Sequence, residues 1–159
     1  MINQVNGKVG DYKHFYEDFL RKAYTIGGMI IFPKHHSSMN QNKGINKYIS
    51  DRWDLTLECI RRYYKGQTSP LYETLEADRD FYALFSDFKG YSDFFFLQDA
   101  VTDDYSEVKI WCGDSIFIED GLPKTLDDYF LFINNELDFL SKRNARIKKY
   151  SETLLVNKK

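Results

Sequence analysis

Arg52, Asp54, Glu58, Arg61 and Arg62 are the densest group of chemically capable side chains in this sequence. Asp54, Glu58 and Arg62 follow one another at i, i+4 and i+8, and Glu58 precedes Arg62 in the orientation that favours an ion pair on a helix. As a solvated face, such pairs stabilise by only about 0.2–0.5 kcal/mol each. Anion recognition is the sharper use. Arg52, Arg61 and Arg62, with Lys43 and the amides of Asn40, Gln41, Asn42 and Asn46 in the preceding loop, would offer planar guanidinium forks and further donors to a phosphate or an acidic partner.

A second group, Asp99, Asp103 and Asp104, lacks the glycine and terminal glutamate of a calcium loop. A helix cap and solvated turn are expected there, with an acidic partner-binding surface as the functional alternative, because carboxylates can occupy a basic nucleic-acid channel on another protein. His35 and His36 are adjacent and point different ways, and His14 lies far off, so no metal site is assigned. Ser37 and Ser38 lack a nucleophile-elbow pattern. Gly27-Gly28 lacks the lysine and Ser/Thr of a phosphate loop, and backbone room at a helix end is the expected reason for the pair. Cys59 and Cys112 form neither a disulfide framework nor a ligand set, and both read as buried thiols. No catalytic residue and no cofactor is assigned.

The element that must position the first group is 48–64. Its Ile49, Trp53, Leu57, Ile60 and Tyr64 recur at steps of four, four, three and four, the pattern of a helix with one buried stripe and its charged residues off that stripe. Ahead of it, residues 1–10 read as a frayed arm. Asp11 caps a helix with Phe15, Phe19, Leu20, Ala23 and Ile26 inward, ending at Gly27-Gly28. Residues 29–32 read as a buried extended segment, and 34–46 as a polar loop of the kind that carries binding residues.

Behind the central helix, Gly66 stops it, and Ser69 caps a new helix with Pro70 in its first turn and Leu71 and Leu75 inward. Phe81, Leu84, Phe85 and Phe88 mark a further helical turn or two, broken by Gly90, and 91–101 is apolar nearly all round. Residues 102–104 form a turn, and Val108 and Ile110 alternate about Lys109 as in a strand, with a hairpin near Gly113. Thr125 and Asp128 make a capping box for a last helix whose seam is Leu126, Phe130, Ile133, Leu137, Leu140, Asn144 and Ile147.

The 159 residues suffice for one globular domain over 1–150, with 151–159 as a loose tail. Thirteen Phe, 12 Tyr and 2 Trp can hold short helices together through ring packing. The expected fold is mainly α with a minor short-strand element, five or six helices packed layer on layer around an aromatic-rich core. A net charge of −2 argues against bulk attraction to nucleic acid or membrane. The acids concentrate in 87–107 and the bases from Lys142 onward, which reads mostly as solvated surface. No apolar run is long enough for a membrane span and the N-terminus lacks a signal-peptide core, so a cytoplasmic location is expected.

Three strings resemble a bacterial family of unknown function: AYTIGGMIIFPKHHSSMNQNKGIN at 23–46, ISDRWDLTLECIRRYYKGQTSPLYETL at 49–75, and DFKGYSDFFFLQDAVTDDYSEVK at 87–109. A weaker likeness continues through SKRNARIK at 141–148. The resemblance implies a longer N-terminal part in other members, reduced here to the arm and first helix. It also implies an arginine where this chain has Lys43, which cannot form the same bidentate fork. The family brings no reaction with it. A shortened member is what a phage or mobile element would carry against a host defence, in the manner of an anti-CRISPR protein. The resulting expectation is a non-enzymatic interaction protein that binds a bacterial protein or nucleoprotein, with direct nucleic-acid binding not favoured. The alternative is an enzyme or receptor for a phosphorylated small molecule or nucleotide held by Lys43, Arg52 and Arg61. A homo-oligomeric structural subunit is a third reading.

Overall fold

A computed structural model of the chain describes residues 17–31, 52–111 and 124–156. Helix α1 covers 17–23 and leads into a 3-10 turn at Ile26–Gly28. The others are α2 (Trp53–Tyr64), α3 (Tyr72–Ala77), α4 (Arg79–Ala83), α5 (Phe88–Phe94), a 3-10 turn at Gln98–Ala100, and the long α6 (Leu126–Val156). Among the described residues the one β pairing is an antiparallel bridge between Val101 and Val108. The fold is mainly α around an aromatic cluster.

Leu57 and Ile60, on the expected stripe of α2, are fully buried. So are Asp54, Leu55, Thr56 and Cys59, with Glu58 nearly so, which corrects the picture of a charged face in water. Periodicity finds the apolar side of a helix, but it does not report what covers the other side. The helix ends as expected at Gly66, whose φ of 65° is the left-handed conformation open to glycine. Gly66 N donates to Tyr63 O at 2.9 Å and Gln67 N to Arg62 O at 2.8 Å, the paired bonds of a Schellman ending. At the end of α5 the same two bonds recur, from Phe96 N to Asp93 O and Leu97 N to Ser92 O, but there the left-handed position holds Phe96, at φ 58°.

Leu71 and Leu75 are buried as expected, while the Ser69 hydroxyl does not cap α3; its carbonyl accepts from Tyr72 N instead. Gly90 lies inside α5 rather than breaking it, and its N–H is held at 2.7 Å by Asp87, the N-cap residue. Asp87 satisfies an amide that the first turn of a helix otherwise leaves unpaired. Tyr82, Phe88, Tyr91 and Phe95 fill the space between α2, α4 and α5, with Tyr91 4.8 Å from Phe95 and perpendicular to Phe85 at 5.3 Å. Leu84 and Phe94, expected inside, are largely exposed. Val108 and Ile110 are buried and Lys109 is exposed, the alternation expected of a strand, although only one bridge forms.

Thr125 and Asp128 form the expected capping box, with Thr125 N donating to Asp128 Oδ2 and Asp128 N to Thr125 Oγ1, each at 3.1 Å. The buried face of α6 is Phe132, Glu136, Leu137, Phe139, Leu140 and Arg143. Only Leu137 and Leu140 of the expected seam lie fully on it. The rest of that seam is half-buried along one edge, because α6 turns Phe139 edge-on to Trp53 at 5.2 Å. Where a loose tail was expected past residue 150, α6 continues to Val156 with 151–156 exposed.

Candidate functional site

At the N-terminal end of α2, Arg52 has an extended backbone and folds its side chain forward onto Asp54. Its Nε meets Asp54 Oδ1 at 3.0 Å and its Nη2 meets Oδ2, a bidentate pair around a fully buried carboxylate. The same guanidinium lies 4.5 Å over the Phe132 ring of α6. Trp53 N donates to Glu136 Oε1 at 3.2 Å, placing a buried carboxylate at the positive end of the helix. Beside these groups is a cavity of about 250 Å³, walled by Phe19, Gly28, Ile30, Arg52, Glu136 and Leu140 among others. Gly28 is required here, since a Cβ would come within 2.0 Å of the Ala23 carbonyl oxygen. That bears out the expectation of backbone room for the glycine pair.

At the other end of α2, Glu58 gathers two arginines. Arg61 donates from Nε to Oε2 at 2.8 Å and from Nη2 to Oε1 at 2.7 Å, and Arg62 donates from Nε to Oε1 at 2.8 Å. Arg61 Nη1 also reaches the Ser106 carbonyl at 3.0 Å, tying the helix to the turn before Val108. Burial pushes the Glu58 carboxyl up, but the hydrogen bonds and charges of Arg61 and Arg62 outweigh it and hold it below its ordinary range.

Arg52 and Arg61 are therefore not brought into one concavity. Nine positions along a helix separate them by about 13.5 Å and half a turn, and each is engaged with a carboxylate of its own helix. Asn40, Gln41, Asn42, Lys43 and Asn46 lie outside the described residues, as do the three histidines, Ser37, Ser38 and Cys112. The acids of the second group also separate. Asp99 receives Arg146 at 2.5 and 3.1 Å, whereas Asp103 is exposed. Asp104 accepts Thr102 Oγ1 at 2.6 Å and Ser106 N at 3.0 Å, and those bonds bring its carboxyl to about 2. Cys59 is buried, and desolvation raises its thiol to about 11, which keeps it protonated at neutral pH. Among the described residues no group of His, Cys, Asp and Glu could hold a metal ion, and no helix is long and apolar enough to cross a membrane.

The residue that the sequence reading missed is Arg143, counted there among solvated bases. It is 4% exposed. Its Nε donates to Phe95 O at 3.0 Å and its Nη1 to both Gly27 O and Met29 O at 2.7 Å, while the guanidinium lies 4.8 Å over the Trp53 ring. Desolvation lowers it to about 10, still charged at neutral pH. The neighbouring Asn144 accepts from Gly27 N at 2.9 Å and donates to Thr25 Oγ1 at 2.7 Å. The signal in the sequence was spacing: Arg143 follows Phe132, Glu136 and Phe139 at helical intervals on one face.

These features define a helical domain in which one long helix grips two other segments through buried polar groups. The chain belongs to DUF6994, a family of unknown function, whose profile matches residues 2–147. No curated protein and no solved structure matches it.

Proposed function

We propose that this chain is a non-enzymatic interaction protein that binds another protein through the segment 24–31. The reading is supported by how that segment is held. Arg143 and Asn144 bind its backbone from the inside at Gly27 and Met29, while Tyr24, Ile26, Met29 and Ile31 are 79, 66, 57 and 64% exposed. Single exposed apolar residues are ordinary, but four on a short segment fixed by buried hydrogen bonds form a pre-organised apolar surface. A bacterial nucleoprotein of a defence system is the narrower form of the partner. Acidic mimicry would then rest on Asp103 and Asp104, since Asp99 is occupied by Arg146.

A photo-crosslinking residue at position 24 will capture the partner, and the purified pair can then be titrated. Ile26→Asp with Ile31→Asp is expected to weaken binding at least tenfold while leaving the melting temperature within a few degrees. Unchanged affinity in that double variant overturns the reading. Asp103→Lys with Asp104→Lys should matter only if the mimicry form holds.

The second reading is a receptor for a phosphorylated small molecule or nucleotide at the cavity beside Arg52, where the ligand would have to draw the guanidinium from Asp54 beside the Glu136 carboxylate. A ligand at a hundred times its dissociation constant stabilises by about 2.7 kcal/mol, which a thermal-shift screen detects. Flat melting curves set this reading aside.

A further inference from the structure

We propose that a concavity between α2, α3 and α4 binds an organic cation, a quaternary or alkylated ammonium group. It measures about 430 Å³, and its lining includes Tyr63, Tyr64, Tyr72 and, behind them, the buried Tyr82. Tyr63 is the hub: its ring centroid lies 5.9 Å from Tyr64 at 68°, 5.9 Å from Tyr72 at 57°, and 5.4 Å from Tyr82 at 60°. Rings inclined this steeply lock edge to face rather than stacking flat, so the half-buried Tyr63, Tyr64 and Tyr72 wall the concavity at several angles with ring edges and ring faces. Those faces carry negative potential and attract cations, most strongly where water is partly excluded. Tyr63, Tyr64 and Tyr72 are only half-buried, unlike Tyr82 and Tyr91 in the core.

The charges around the concavity favour the same ligand. Glu76 is fixed at the wall by the Tyr63 hydroxyl, which donates to its Oε2 at 3.0 Å, and Asp80 stands at the rim. Among the described residues Arg79 is the one base in the lining, and its side chain is 73% exposed beside Asp80, leaving their sum with Glu76 one charge negative. The Tyr63 phenol is raised to about 12 by burial and by Glu76, so it remains a donor and the negative charge stays on the carboxylate. Near this concavity two buried polar atoms have no hydrogen-bond partner, the hydroxyl of Tyr82, behind the wall, and Oδ2 of Asp78 at the junction of α3 and α4. Such atoms are uncommon in native proteins. The site shares no residue with the segment 24–31, and does not depend on the interaction reading.

The test is a titration of the full chain, followed by NMR, with choline, with a peptide carrying trimethyl-lysine, and with the uncharged choline isostere 3,3-dimethylbutan-1-ol. Saturable shifts of the Tyr63 and Tyr72 ring signals are expected, with at least one cation binding tenfold or more tighter than the isostere. Whichever cation binds tighter assigns the source as a free small molecule or a modified side chain, and either result supports the proposal. Tyr72→Ala and Glu76→Gln should each weaken binding at least fivefold. Should Tyr72→Ala unfold, Glu76→Gln retains every ring and carries the test. Equal affinity for cation and isostere, no saturable shift with any of the three, or indifference to Glu76→Gln overturns it.

Discussion

At its C-terminal end α2 packs Tyr63 and Tyr64 among rings from α3, α4 and α5, whereas at its N-terminal end it meets α6 through Arg52, Trp53, Glu136 and Arg143. Both ends are at least half-buried, but the ring cluster at the first is stabilised chiefly by the apolar area it removes from water. Within it the buried hydroxyls of Tyr82 and Tyr91 have no hydrogen-bond partner. The second end is polar and works by direction: one guanidinium satisfies three carbonyls from two distant segments. Apolar area makes the domain cohere, and buried donors decide which backbone lies where.

Three measurements would break or sharpen that contrast. The largest effect is expected at Tyr91, fully buried among rings. Tyr91→Ala should cost about 3–5 kcal/mol in urea unfolding, as large-to-small core changes do. Tyr91→Phe should be neutral or slightly stabilising, since its hydroxyl has no partner to lose. A costly Tyr91→Phe would mean that the ring cluster relies on a polar contact after all.

Next comes Arg143→Met, which keeps most of the volume but leaves the carbonyls of Phe95, Gly27 and Met29 without their donor. The expected loss is about 3 kcal/mol, with faster amide exchange at Gly27. Arg143→Lys should recover little, because one ammonium cannot reproduce the fork. Full rescue by lysine would reduce the clamp to a simple charge.

The smallest effect concerns acid. The Glu58 carboxyl lies below its ordinary 4.5 when folded, so its contribution is complete above that pH and is lost as pH falls through the folded value. Wild type should therefore lose more stability than Glu58→Gln between pH 5 and the acid limit. Parallel acid profiles would show that the two arginines add nothing there.

Much of the fold was legible in local letters. The Thr125–Asp128 capping box, the Gly66 ending, the inward Leu71 and Leu75 and the 102–104 turn each depend on residues within a few positions of one another. Candidate site residues were harder to place. Asp54 and Glu58 were recognised as partners of nearby arginines in type and spacing, but their burial depends on elements distant in sequence. Leu84 and Phe94 are hydrophobic and still face outward, because short helices offer too few turns for periodicity to settle which side is covered.

By itself the sequence determined a mainly helical chain with abundant rings and recognisable starts and stops, since helix caps and hydrophobic repeats act over one or two turns. Tertiary structure alone decided that Arg143, more than a hundred residues from Gly27 and Met29, is a buried clamp rather than a solvated base. It likewise decided that four tyrosines meet around one concavity. The physical reason is that burial and the pairing of a donor with its acceptor depend on how distant segments pack, and no periodicity in one segment encodes the partner supplied by another.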